Sequence, residues 1–260
     1  MSPVSDGDLA LQLRFRPPLA ADSLLAWLAA RAVPGVEEVD GRVYRRSLRL
    51  PGGPGVAELA FEADHVRGRL WLEDQRDRGA AQERCRRLLD LDADPGAVVE
   101  RLGGDALLGP LVRAAPGLRV PGAVDGAELA VRAVLGQQVS VRAARTGAGR
   151  LVAEHGEPLA RPRGAVTSLF PAPEALGALD PARLAMPRAR AEALVGLCRA
   201  LAGGELCLDP GADRPQARRR LLALPGVGPW TAGYIAMRAL GDPDVFMPTD
   251  LGVQLSLIHI

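Results

Sequence analysis

Leu221–Asp250, reading LLALPGVGPWTAGYIAMRALGDPDVFMPTD, constrains this chain more than any other stretch. Arg214–Ala223 is Arg-rich with apolar residues at helical spacing, which predicts a helix running into it. Leu224-Pro225-Gly226-Val227-Gly228-Pro229 must then turn sharply. Gly226 and Gly228 can both take positive φ, and Pro229 suits the first turn of a new helix. Trp230–Leu240 continues as that helix, and Gly241-Asp242-Pro243 ends it. A helix, a tight glycine hairpin and a second helix leave the amides of the hairpin and of the second helix start unpaired. A phosphate can accept from them, aided by the helix dipole. A purely structural alternative is a glycine turn between two packed helices, with Asp250 as an ordinary N-cap.

The rest of the chain supplies a scaffold. Its 260 residues suffice for one large or two smaller domains, and a hydrophobic fraction of 48% supports a real core. Leu9, Leu11, Leu13 and Phe15 alternate with polar or small residues as in a strand with one buried face. Asp22 or Ser23 can cap a helix through about Ala32, and three β-like runs follow at Arg42–Leu50, Val56–Glu62 and Val66–Leu72. Asp77–Leu91 returns to helix. Residues 1–92 thus predict a small antiparallel sheet carrying helices on one face, with Trp27 and Trp71 in its core.

From residue 93 on, the pattern is helical. Asp94–Leu102, Gly104–Ala114, Gly126–Leu135 capped by Asp125, Val141–His155 capped by Ser140, and Pro187–Ala202 read as helices. Pro158–Pro173, rich in Pro and Arg, reads as a loop. The fold class is therefore α+β, with an all-helical region over 93–260.

Composition excludes several classes. No apolar run is long enough to span a bilayer, and Met1–Gly7 is short and polar, so a soluble cytoplasmic protein without a signal peptide is expected. Cys85, Cys198 and Cys207 lack the spacing of a zinc or four-cysteine iron–sulfur site and read as reduced thiols. Net charge is only +1, so bulk charge does not announce a nucleic-acid partner. All 32 basic side chains are Arg, so no lysine can form a Schiff base with an opened sugar. His65, His155 and His259 sit in turn, helix-end and tail contexts with no evident role.

The hairpin, followed by a Pro/Gly-rich loop and Asp250, resembles the helix-hairpin-helix signature of DNA repair glycosylases. The segment VRAVLGQQVSV over 131–141 resembles the corresponding loop of AlkA-type 3-methyladenine DNA glycosylases. Pro116–Gly122, Met186–Leu194 and Pro225–Tyr234 extend the likeness, which covers roughly residues 9–254 and is densest from 116 on.

The resemblance implies an enzyme that flips alkylated purines out of double-stranded DNA and hydrolyses the N-glycosidic bond. Asp250 would be catalytic, either stabilising the oxocarbenium-like sugar or positioning water. Trp230 and Tyr234, four apart on one helix, would hold the cationic base. Gln137 and Gln138 would meet DNA, with Gln138 filling the gap. Gly226, Gly228 and Thr231 would donate amides to a phosphate. Carbonyls of Leu222, Leu224 and Val227 would hold a Na+ or K+ ion, no other cofactor being required. Trp230 stands where glycosylase–lyases of the wider superfamily carry their Schiff-base lysine, which implies a monofunctional enzyme leaving an abasic site. It would act as a monomer at the nucleoid, without a membrane partner. The competing reading is a non-catalytic helix-hairpin-helix DNA-binding protein. One departure stands out: the family continues through several more helices after the position of Asp250, whereas Leu255–Ile260 is apolar and does not match. A truncated sequence is the favoured expectation over a divergent short form.

Overall fold

Period-two alternation between Asp8 and Leu72 builds one antiparallel sheet. The computed structural model describes residues 8–258; Met1–Gly7, His259 and Ile260 lie outside the described residues. Strand β1 (Asp8–Arg14) is followed by α1 (Ala21–Arg31), β2 (Glu37–Asp40), β3 (Val43–Leu50), β4 (Gly53–Phe61) and β5 (His65–Leu72). The strand order is β1-β5-β4-β3-β2. Leu11 lies opposite Gly68 and Leu13 opposite Val66 in the β1–β5 ladder. Because alternate side chains share a face, Leu11, Leu13, Ala57, Leu59, Val66 and Leu70 form one buried layer. Leu24, Leu25 and Leu28 of α1 cover it, together with Ala81, Cys85, Leu88 and Leu89 of α2 (Arg78–Leu89). The sheet-plus-helices expectation stands. Trp27 and Trp71 are only partly buried, with Arg guanidinium groups over both rings.

The edge pair β2–β3 holds a buried charge. Glu37 and Arg46 are cross-strand partners at 6% and 3% exposure, with a carboxylate–guanidinium distance of 3.4 Å. Tyr44 Oη donates to Glu37 Oε1 at 2.6 Å, and the Val33 amide donates to Oε2 at 2.9 Å. The Arg46 Nε also donates to the Ser47 carbonyl.

Two findings revise the domain reading. Helices α3 (Pro95–Leu102, capped by Asp94) and α4 (Leu108–Ala114) follow α2. The first compact unit runs to Val124 rather than to residue 92. Residues 116–124 are stitched to α2 and its surroundings. The Gly122 amide donates to the Arg87 carbonyl, Arg87 Nε donates to Ala123, and Val124 enters the sheet-face cluster. The unit also takes back Pro158–Leu169. That stretch is not a loop but a hairpin of β6 (Glu157–Arg163) and β7 (Val166–Leu169), turning at Gly164 with φ +58°. Leu159, Val166 and Leu169 bury against Val56 and Trp71, on the sheet face opposite α1 and α2. The Pro and Arg content of 157–163 hid this spacing, since five of those seven positions are exposed and only Leu159 is buried.

The second unit comprises Asp125–Glu157 and the chain from Phe170. Its described elements are all helical: α5 (Gly126–Leu135), α6 (Val141–His155), α7 (Pro173–Gly177), α8 (Arg188–Ala202), α9 (Arg214–Ala223), α10 (Pro229–Arg238) and α11 (Leu251–Ile258). Asp125, Ser140 and Asp213 each accept from an amide of the helix they start. The core of this unit is α8, with Ala191, Leu194, Val195, Leu197 and Cys198 buried, against α5 and α7. Burial pushes the Cys85 and Cys198 thiols up to about 12, so both are inert core groups, while Cys207 is exposed. No helix among the described residues is long and apolar enough to cross a membrane.

Candidate active site

Short-range chemistry shapes the hairpin between α9 and α10. The Val227 amide donates to the Leu224 carbonyl at 3.1 Å, Pro225 leads, and Gly226 has φ +80°, the signature of a type II turn. A Cβ on Gly226 would lie 2.6 Å from the Ala193 Cβ of α8, so this position excludes side chains on both counts. Gly228 corrects the expectation: its φ is −89°, and nothing lies within 4 Å of an added Cβ. It is the N-cap of α10 with no side-chain cap, so the first amides of that helix have no local acceptor. Arg214 ties the start of α9 to the end of α10 through the Leu240 and Gly241 carbonyls.

The two glycines therefore separate. Gly226→Ala is expected to lower the melting temperature markedly, because a left-handed non-glycine residue costs roughly 1–2 kcal/mol before the Ala193 contact is counted. Gly228→Ala is expected to change stability by less than about 1 kcal/mol. Thermal melts of the two variants side by side check this, and equal losses would contradict it.

Helix α10 carries both predicted aromatics. Trp230 and Tyr234 stack on each other, with ring centroids 5.3 Å apart and planes 12° from parallel. A base sandwiched between them needs roughly 7 Å, twice a carbon contact distance, so they do not form the jaws of a clamp. The Arg238 guanidinium lies over Tyr234 at 5.6 Å. Tyr234 thus has Trp230 and Arg238 as ring neighbours, and both aromatics are half-buried.

Asp250 is held beside that ring. Its Oδ2 accepts from Trp230 Nε1 at 2.8 Å. Its Oδ1 accepts from the Gly252 and Val253 amides at 2.9 and 3.2 Å, capping α11. Three donors thus orient one half-buried carboxylate, which keeps lone pairs on Oδ2 free of the cap. A Cβ added to Gly233 would lie 3.4 Å from Val245 Cγ1 and 3.6 Å from Met247 Cγ, ordinary van der Waals distances, so α10 packs against the 245–247 segment with room for alanine at this position.

The loop between α5 and α6 splits the two glutamines. Gln137 Nε2 donates to the Gly226 carbonyl and to Thr231 Oγ1, both at 2.9 Å, and its own carbonyl accepts from Arg190 Nη2. Gln137 is a strut holding the hairpin, and its carboxamide nitrogen is already engaged. Thr231 is 2% exposed, which takes it out of direct reach of a phosphate. Gln138 is exposed at the loop tip with φ +54°, a left-handed conformation that non-glycine residues adopt at a cost.

Comparison with known proteins decides the family. The AlkA N-terminal domain model matches residues 10–125. DNA-3-methyladenine glycosylase 2 of Escherichia coli is 38% identical, over 92% of this chain and 83% of that protein. The chain belongs to the AlkA family of DNA-3-methyladenine glycosylases. A probable bifunctional transcriptional activator/DNA repair enzyme AlkA of Mycobacterium tuberculosis is 54% identical over 97% of this chain. The chain spans about half the length of that AlkA relative, 51%. A 3-methyladenine DNA-glycosylase from Archaeoglobus fulgidus shares the fold, with a TM-score of 0.81 at 21% identity over 96% of this chain and 86% of that one. The AlkA N-terminal match ends where the first compact unit ends, so the 116–124 segment belongs with the sheet.

Proposed function

We propose that this chain is the glycosylase portion of a base-excision repair enzyme acting on alkylated purines such as 3-methyladenine in duplex DNA. The observation that carries the reading is the Trp230 Nε1–Asp250 Oδ2 hydrogen bond, which sets one carboxylate at the edge of the Trp230 ring. An alkylated purine is cationic, and an aromatic face attracts a desolvated cation by roughly 0.5–2 kcal/mol. Damaged pairs also cost less to open. With the base on Trp230, its sugar C1′ lies toward Asp250. The C1′–N bond breaks with its electron pair passing to the purine, which neutralises the leaving base. The carboxylate stabilises the cationic sugar, and a water adds to C1′ and loses a proton. A neutral leaving group needs no strong general acid.

The Gly228 and Trp230 amides at the uncapped start of α10 suit a phosphate of the damaged strand, and Gln138 suits the gap left by the flipped nucleotide. The Leu222 carbonyl lies in the last turn of α9, where carbonyls lack helical partners, and the Leu224 oxygen keeps a lone pair beside its bond to Val227. With the Val227 carbonyl, these neutral oxygens fit a Na+ or K+ ion, which would add positive charge beside that phosphate.

Asp250 also caps α11, and that alone could account for the residue in a non-catalytic DNA-binding protein. Purified protein incubated with methylated DNA is expected to release 3-methyladenine, identified by chromatography. It is also expected to give no borohydride-trapped adduct, because the chain has no lysine. Tight binding to the same DNA with no base release would favour the non-catalytic reading, and a trapped adduct would overturn the hydrolytic one.

A further inference from the structure

The α5–α6 loop has a second flank that the proposed reaction leaves unused. Gln137 reaches from this loop to the hairpin, whereas Val139 and Ser140 line a cavity of about 410 Å³ bounded by α6 and the segment 184–190. Arg142, Thr146 and Arg150 recur at helical spacing along its α6 wall, and Arg190 stands opposite. Arg142 and Arg150 are exposed, and neither guanidinium has a hydrogen bond or ion pair among the described residues. Thr146 Oγ1 is spent on the Arg142 carbonyl, and Arg190 uses one nitrogen on Gln137. The single carboxylate in the lining, Glu154, lies near His155 at 3.7 Å.

We infer that this cleft binds backbone phosphates of the undamaged strand, on the far side of the loop from the lesion. The inference rests on the glycosylase reading and extends it to the second strand. Spacing argues for a polyanion. Arg142 and Arg150 are eight residues apart, roughly 12 Å along the helix, so with their side chains extended outward they present a line of positive charge rather than a single point. A nucleic-acid strand advances about 3.4 Å per nucleotide along its axis, so the pair spans about three nucleotides. The openness of the cleft, with exposed residues on both walls, also suits a passing strand better than a small ion. Arg190 links the cleft to the reaction site, since the carbonyl it binds belongs to the residue that braces the Gly226 turn.

The test compares the full chain with an Arg142→Gln/Arg150→Gln variant. Both bind a duplex and a single strand that carry a reduced abasic site. Circular dichroism melting should be unchanged, because both side chains are exposed and unpaired. Duplex affinity is expected to fall roughly 3- to 30-fold, in the range of two exposed charge contacts, while single-strand affinity is unchanged. The slope of log affinity against log salt should shrink by about 2 for the duplex alone. Methylphosphonate linkages in the undamaged strand should weaken wild type and leave the variant indifferent. Equal losses on duplex and single strand, or no loss on either, would overturn the inference while wild-type base release still upheld the glycosylase reading. A wild type that binds neither DNA sinks both.

Discussion

Asp250→Asn is expected to slow release of 3-methyladenine by roughly 10²–10³-fold, the usual loss when one preorganised electrostatic group is removed. The substitution is informative because Asn can still cap α11. What Asn lacks is a second oxygen. With Oδ1 on the Gly252 and Val253 amides, its nitrogen would face Trp230 Nε1, two donors meeting where a donor and an acceptor stand now. A stability loss of about 1 kcal/mol follows from that bond. Binding to a duplex carrying a reduced abasic site is expected to stay within a few-fold, because the hairpin and loop are untouched. Single-turnover base release measured beside that binding curve gives the answer. Activity within about tenfold of wild type would show that Asp250 serves only as a cap.

Arg46→Ala is expected to cost about 3–5 kcal/mol of stability, enough to unfold much of the chain near physiological temperature. The reason is the group left behind. Glu37, at 6% exposure, would keep the Tyr44 hydroxyl and the Val33 amide but lose the Arg46 guanidinium across the strand pair. Denaturant melts settle the matter, and a double Arg46→Met/Glu37→Leu variant separates the two possible causes. If the buried carboxylate is responsible, the double variant recovers most of the loss, since well-packed apolar pairs replace buried ion pairs at little cost. If it does not recover, lost packing at β2–β3 is the cause and the charge argument fails.

How much was legible in the sequence depends on the range over which each interaction acts. Asp125, Ser140 and Asp213 were readable as caps because each bonds an amide three residues away. The Gly226 turn was readable because only glycine accepts that φ beside a proline. The two-residue alternation of β1, β4 and β5 and the apolar stripe of α8 were equally local. The reading went astray where the deciding partner was remote. The β6–β7 hairpin depends on Val56 and Trp71, about a hundred residues back along the chain. Residues 116–124 join the sheet unit because Arg87 holds them, which no local composition announces. Gln137 looked like its neighbour Gln138, yet bonds to Gly226 and Thr231 make it a strut and leave only Gln138 exposed.

By itself, then, the chain's order of residues determined the helix ends, the glycine turn, the strand faces and the presence of an acid and two aromatics in one stretch, all consequences of neighbours a few positions apart. Tertiary structure alone decided that the aromatics stack on each other and that Asp250 meets the Trp230 indole. Those outcomes depend on which surfaces remain free once α10 has packed against α5 and α9, and close packing is a property of the whole unit.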